Sequence, residues 1–174
     1  MENLVQLYIG EGKGKTTASM GLALRALGRG RKVLIAQFLK NGNTGELEAL
    51  KRLEGVLVAP PVPIHKFTFA MTPEELAQTV EQHNRQLDLL SRLIEAERPG
   101  LVVLDELAMA LYLNLADQDK AMALIQQGVQ YGEVVVTGRY APQPLMDRAD
   151  YISQILKIKH PYDQGVSARQ GIEF

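Results

Sequence analysis

Short apolar runs alternating with longer segments of helical period constrain this chain more than any other feature. Leu4 to Ile9, Lys32 to Phe38, Leu101 to Leu104 and Glu133 to Val136 are such runs, and several, such as Leu-Val-Val-Leu at 101 to 104, are continuously apolar. A continuous run predicts a strand covered on both faces, as in a mostly parallel sheet reached by helical crossovers. Tyr151 to Ile158 is expected to add a fifth strand. The pattern predicts the α/β class, with helices on both faces of the sheet. The 174 residues, 46% of them hydrophobic, suffice for one core and leave little room for another, so a single domain over 1–174 is expected.

The first helix is predicted from Lys15 to Leu27, stopping at Gly28 and Gly30, residues suited to a left-handed turn. The longest opens with Thr72, Pro73 and Glu75, which combine a hydroxyl cap, a proline at the first helical position and a carboxylate at the third. Its Leu76, Val80, Leu87, Leu90 and Ile94 recur at helical spacing as one apolar stripe. A further helix is predicted over Asp119 to Gln127. Pro60, Pro61 and Pro63 read as an irregular connection, and the chain carries no internal repeat.

The first strand runs into Gly10, Glu11, Gly12, Lys13, Gly14, Lys15 and Thr16, after which a helical pattern starts. In such a loop glycines let backbone N–H groups turn toward phosphate oxygens and the helix start adds partial positive charge. The lysine reaches along the phosphates, and a threonine hydroxyl can ligate magnesium. A chance Gly-Lys-Thr is the bland alternative, disfavoured by the strand and helix around it. The general pattern has four residues between the first glycine and Gly-Lys-Thr, whereas here only Glu11, Gly12 and Lys13 intervene. A loop one residue short cannot wrap a triphosphate in the standard manner. A different nucleotide pose is therefore expected, with chemistry other than attack on the terminal phosphorus. Thr17 and Arg25 extend the candidate site, Arg25 about three turns into the helix, where a solvated arginine is the alternative.

Ligands of such sheets gather at the carboxyl ends of strands. Leu101 to Leu104 ends there in Asp105 and Glu106, where a carboxylate can bind magnesium directly or through water. More plainly, the pair could cap a helix over Leu107 to Tyr112. Glu133 to Val136 is followed by Thr137, Gly138 and Arg139, which brings a guanidinium to the same edge to steady charge on a leaving phosphate. Alone, Arg139 would be an ordinary surface residue. His65, His83 and His160 lie far apart without metal-ligand spacing, which favours core or surface roles. No general base is assigned.

Composition excludes several classes. A net charge of −1 with dispersed Lys and Arg lacks the one-sided basic footprint of a nucleic-acid binder. Without cysteine neither disulfides nor thiolate zinc sites can form, which suits a reducing, cytoplasmic setting. The opening MENLVQLY has no secretory pattern, and stretches such as Val33 to Leu39 fall far below the roughly 20 apolar residues that span a bilayer.

Taken together, GEGKGKTTA (10 to 18), AQFLKNGNTGE (36 to 46), KFTF (66 to 69), VVLDEL (102 to 107), VVVTGR (134 to 139), RAD (148 to 150) and KHPYDQGVSARQGIEF (159 to 174) strongly resemble the ATP:corrinoid adenosyltransferases of the phosphate-loop type. Their order and spacing cover nearly the whole chain; the final stretch is highly specific, and the shortened loop is the family's form. The resemblance implies a phosphate-loop, RecA-like fold and transfer of the 5′-deoxyadenosyl group of ATP to the cobalt of a corrinoid, with inorganic triphosphate leaving. It implies that ATP lies in the loop in the reverse of the usual sense, presenting its 5′ carbon to Co(I), the nucleophile that carries the difficult electronic step. Protein groups then position and neutralise.

On that basis Gly10, Glu11, Gly12, Lys13, Gly14, Lys15, Thr16, Thr17 and Arg25 are expected to bind ATP. Thr16, Asp105 and Glu106 are expected to contact Mg²⁺, and Lys15, Thr16, Glu106 and Arg139 to act on the departing triphosphate. Phe67 and Phe69 match the family's paired aromatics, which pack beneath the corrinoid, exclude its lower ligand and make reduction to Co(I) feasible. From pattern alone they would be core strand residues facing one side. A homodimer and an electron-donating reductase are also implied.

The chain departs from the family in three places. The second aromatic is often tryptophan, and this chain has none. A segment before the first strand commonly folds over the corrinoid, whereas here the strand begins almost at Met1. The residue after Ser153 is often Glu but is Gln154. Two rival readings use the loop: a phosphate-loop ATPase acting as a nucleotide-dependent binding switch, with Asp105 serving slow hydrolysis, and a small-molecule kinase, which lacks here the arginine-rich lid such enzymes place over their phosphates.

Overall fold

Successive residues of the central strands serve two different cores. The computed structural model describes residues 2–42, 44–62, 66 and 68–173, with the backbone alone at position 69. The strands are β1 (Val5–Ile9), β2 (Val33–Gln37), β3 (Val56–Val58), β4 (Leu101–Asp105), β5 (Glu133–Thr137) and β6 (Tyr151–Gln154). All pair in parallel, in the order β3-β2-β4-β5-β1-β6. The helices are α1 (Lys15–Leu27), α2 (Gly45–Leu50), α3 (Pro73–Glu97), α4 (Leu107–Tyr112), α5 (Gln118–Tyr131) and α6 (Gln143–Arg148), with 3₁₀ turns at Thr68–Ala70 and Pro161–Gln164. Val33, Ile35, Leu101, Val103 and Val135 pack against Met20 and Ala23 of α1 and Leu47 and Leu50 of α2. Their neighbours Leu34, Ala36, Val102, Leu104, Val134 and Val136 face Leu87, Leu90 and Ile94 of α3 and Leu124 and Ile125 of α5. Each fully buried aliphatic side chain contributes about 1.5–3 kcal/mol of transfer free energy, so the sheet is anchored on both faces.

This is the expected α/β arrangement in RecA-like order, with β5 between the loop-bearing β1 and the acid-bearing β4. Parallel pairing aligns Gln37 with Asp105 and Tyr8 with Thr137, so the ends of β1, β2, β4 and β5 meet at one edge. Among the described residues no helix is long and apolar enough to cross a membrane.

Several expectations need correction. The fifth strand stops at Gln154 and all four of its residues are exposed, because β6 is an edge strand paired only with β1. Only Gly30 of the helix-end pair has a left-handed backbone; Gly28 is right-handed at φ −62° and continues the turn. The α3 stripe is displaced: Leu76 is 39% exposed, and Thr79, His83 and Gln86 join Leu87, Leu90 and Ile94 on the buried side. α5 runs past Gln127 to Tyr131 and carries Gly128 inside it, where a Cβ would stand 2.7 Å from Val134, and its start is capped by the Asp117 carboxylate accepting from the Lys120 N–H at 2.9 Å. α2, α6 and β3 span only three to six residues, too short for a periodic signal. The cap of α3 forms as read, with Thr72 and Glu75 in a reciprocal capping box and Pro73 in the first turn.

Candidate nucleotide and metal site

The phosphate loop begins from backbone geometry. Gly14, at φ 119°, is the N-cap of α1; no side chain caps this end and its first turn has no acidic residue. The N–H groups of Lys15, Thr16 and Thr17 lack intrahelical acceptors, so the helix end offers donors and partial positive charge to an anion. Two glycine amides expected to face phosphate are otherwise engaged. Gly10 N–H donates to the Arg139 carbonyl at 3.1 Å, and Gly12 N–H to the Ile155 carbonyl at 2.9 Å. A Cβ on Gly12 would stand 2.5 Å from the Leu156 carbonyl oxygen. The short loop is thus pressed against the chain that follows β6, a contact only glycine permits.

Lys15 curls over this loop, its Nζ donating to the carbonyls of Gly10 at 2.6 Å and Gly12 at 2.8 Å. Burial lowers its pKa, with the Glu106 carboxylate opposing. Lys13 turns outward and pairs with Glu173 at 2.9 Å, which ties the carboxyl-terminal motif to the loop. The Glu173 carboxyl is held far below its usual range, first by its hydrogen bond from Arg169 and then by Lys13.

Asp105 is the hub of the site at 0% exposure. Its Oδ1 accepts from the hydroxyls of Thr16 at 2.8 Å and Thr137 at 2.7 Å. Its Oδ2 accepts from Lys40 Nζ at 2.6 Å and Gln37 Nε2 at 3.2 Å. Lys40 Nζ also donates to Thr16 Oγ1 at 3.1 Å. Glu106 follows at φ 62°, a left-handed turn that starts α4, and its N–H donates to Thr137 Oγ1 at 2.9 Å. Burial, then the Asp105 charge, raise the pKa of Glu106. Glu106 occupies the N-cap position of α4 but no side chain caps that helix, and Asp105 instead faces the loop through Thr16. Among the described residues no three His, Cys, Asp or Glu groups converge on a metal position, so a cation here would take further ligands from phosphate oxygens.

Arg139 lies beside the loop, its Nε 3.7 Å from Glu11 Oε1, while the Tyr140 hydroxyl donates to the same oxygen at 2.8 Å. These contacts, Tyr140 first, lower the Glu11 pKa. Arg25 is not brought to the loop: it is exposed on the last turn of α1, about 15 Å along the axis from Lys15 at 1.5 Å per residue, with its charge acting on Tyr8. Phe67, His65 and the side chain of Phe69 lie outside the described residues. His83 is fully buried and stacked on Phe38, with ring centroids 5.7 Å apart, in agreement with a core role. His160 accepts from the Tyr162 N–H at 3.2 Å and caps the Pro161–Gln164 turn.

Lys40, Gln37 and Thr137 were not among the residues singled out from the sequence. All three stand at or just after the end of a strand, and Lys40 lies within AQFLKNGNTGE; the strand-end rule applied to β2 as well would point to Gln37 and Lys40, while at the end of β5 the eye falls on Arg139 rather than on Thr137 beside it. A cavity of about 640 Å³ opens beside the loop, walled in part by Ile9, Glu11, Tyr112, Tyr140 and Leu156. Its volume lies in the range of small-molecule sites.

Comparison with known proteins bears on this geometry. The family described as ATP:corrinoid adenosyltransferase BtuR/CobO/CobP matches residues 1–174. A corrinoid adenosyltransferase of Pseudomonas aeruginosa is 34% identical over 97% of this chain and 82% of its own length. Those of Salmonella typhimurium and Escherichia coli are 31% and 30% identical, each over 98% of this chain and 85% of their own. A DNA replication initiation factor of known structure aligns with a TM-score of 0.46 at 13% identity, over 89% of this chain and 40% of that one, a likeness that adds nothing to these matches. The nucleotide-dependent switch finds no support among these relatives.

Proposed function

The chain belongs to the family of ATP:corrinoid adenosyltransferases, and from that premise we propose that it transfers the 5′-deoxyadenosyl group of ATP to the Co(I) of a corrinoid. A cobalt–carbon bond forms as the C5′–oxygen bond breaks. The cobalt electron pair enters the new bond, Co(I) becomes Co(III), and inorganic triphosphate departs with the pair of the broken bond. The match over the full chain carries this reading. The single domain over 1–174 and a cytoplasmic setting belong to the same proposal.

The reaction asks little acid–base work of side chains and much positioning. Lys15 and the first-turn amides of α1 hold the phosphate chain; Lys13, Glu11, Thr17 and Arg139 border it. Gly10, Gly12 and Gly14 keep the loop low enough for the reversed nucleotide. Arg25 stays an ATP-contact assignment from the resemblance alone. The donor set suits Mg²⁺: the Thr16 hydroxyl and the buried Asp105 carboxylate are 2.8 Å apart, an ammonium already lies against both, and Glu106 is adjacent. Magnesium supplies charge neutralisation for the departing triphosphate. Phe67 and Phe69 take the lower face of the corrinoid, a reductase or other donor supplies the electron, and the protein works as a homodimer.

Incubation with ATP, Mg²⁺ and chemically reduced cobalamin tests the proposal. The expected outcome is the adenosylcobalamin spectrum with stoichiometric triphosphate. Orthophosphate release with no cobalt alkylation would overturn it.

A further inference from the structure

We propose that Lys40 is the resident counter-cation of Asp105 and yields that place to magnesium, so that Lys40 sets how weakly the site holds divalent metal before ATP arrives. The inference rests on the metal assignment to Thr16 and Asp105 above, and not on which group of ATP is transferred.

A carboxylate with no exposure is costly to keep ionised unless a cation and hydrogen bonds compensate it. Of the four side-chain donors to Asp105, three are neutral: Thr16, Thr137 and Gln37. Lys40 alone brings charge, at 2.6 Å from Oδ2. The same ammonium lies 3.1 Å from Thr16 Oγ1. It therefore contacts both of the oxygen-bearing groups that a metal ion joining Thr16 to Asp105 would need. A divalent cation and an ammonium cannot share those partners at such distances without strong repulsion, so metal entry requires Lys40 to leave.

The means of leaving are present. The Lys40 side chain is 26% exposed while that of Asp105 is 0%, so the lysine reaches in from the solvent side and can swing back along its own stem. It follows Leu39, a non-glycine residue at φ 54° two positions beyond the end of β2, and its side chain reaches Asp105 at the end of β4. Phosphate oxygens of a nucleotide held by the loop are the natural acceptors for the displaced ammonium. Metal and nucleotide then enter together, and free metal alone competes poorly against an intramolecular cation. A purely structural ion pair would make no such demand on metal affinity.

The full chain is titrated with Mn²⁺ alone, followed by electron paramagnetic resonance, for the unaltered protein, Lys40→Gln and Lys40→Arg. The expected result is weak binding by the unaltered protein and Lys40→Arg, and binding about tenfold tighter or more by Lys40→Gln, since removing one partner of a buried pair leaves a charge in want of a cation. In parallel, Lys40→Gln melts lower in chelator and recovers with excess Mg²⁺, while the melting of the unaltered protein is indifferent to Mg²⁺. Should Lys40→Gln fail to fold in chelator, recovery of its fold on adding Mg²⁺ is the same result by another readout. Equal Mn²⁺ affinity in the unaltered protein and Lys40→Gln, or a Lys40→Gln defect that Mg²⁺ does not repair, overturns the proposal. Mn²⁺ that fails to bind even in the presence of ATP overturns the metal assignment and this inference with it.

Discussion

Lys15 shows how one side chain can carry an assignment. Its ammonium is satisfied by two carbonyls of its own loop, so it needs no nucleotide to be ordered. Lys15→Ala is therefore expected to fold normally and to lose ATP affinity by about 1.5–3 kcal/mol, the contribution of a hydrogen bond to a charged group. Calorimetric titration with MgATP checks this; an unchanged dissociation constant would remove Lys15 from the phosphate site. Lys13 belongs to a different circle, engaged with Glu173 at the surface, and the neighbouring lysines of the loop are not equivalent.

At the scale of elements, α3 carries the feature least expected of an amphipathic helix. His83 is buried against Phe38, and among the described residues neither ring nitrogen finds a hydrogen-bond partner of good geometry, although the carbonyls of Thr79 and Leu115 lie near enough to oppose its pKa shift. Burial lowers the pKa of this imidazole from its ordinary 6.5. The folded protein thus binds fewer protons than the unfolded chain once pH falls below that value, and stability declines as pH drops through the window beneath it. His83→Phe keeps the stack and removes the titration. Its urea midpoint is expected to fall less between about pH 7.5 and pH 5 than that of the unaltered protein. Parallel slopes for the two proteins would show that another group governs acid stability.

For the whole molecule, β6 and the chain after it present Tyr151, Ile152, Leu156 and Ile158 to solvent, Ile158 at 92% exposure. An open sheet edge flanked by apolar side chains invites a partner, which accords with the proposed homodimer. Sedimentation is expected to give twice the chain mass of 19.3 kDa, with Ile158→Glu returning the protein to a monomer of unchanged secondary structure. A monomer at assay concentration would remove the homodimer from the proposed function.

The alternation of apolar runs and helical segments already determined the class of fold. The central strands must be covered on two faces, and only a parallel sheet between helices does that for runs such as Val33 to Ala36 and Leu101 to Leu104. Local chemistry likewise wrote both ends of α1 and the start of α3 into the residues themselves, because caps and loop glycines act over a few bonds. β3, α2 and α6 escaped because their stability comes from packing on a sheet that already exists. Lys15, Thr16 and Asp105 were legible as motif members; that Lys40, Gln37 and Thr137 converge on Asp105 was not, since residues 65, 68 and 32 positions away meet it only when parallel strands align their ends. The sequence also showed that the loop is one residue short, while only the tertiary structure revealed what that shortness meets, the backbone of Ile155 and Leu156. A loop's length is a property of the chain; the surface it rests on exists only once distant strands have been brought side by side.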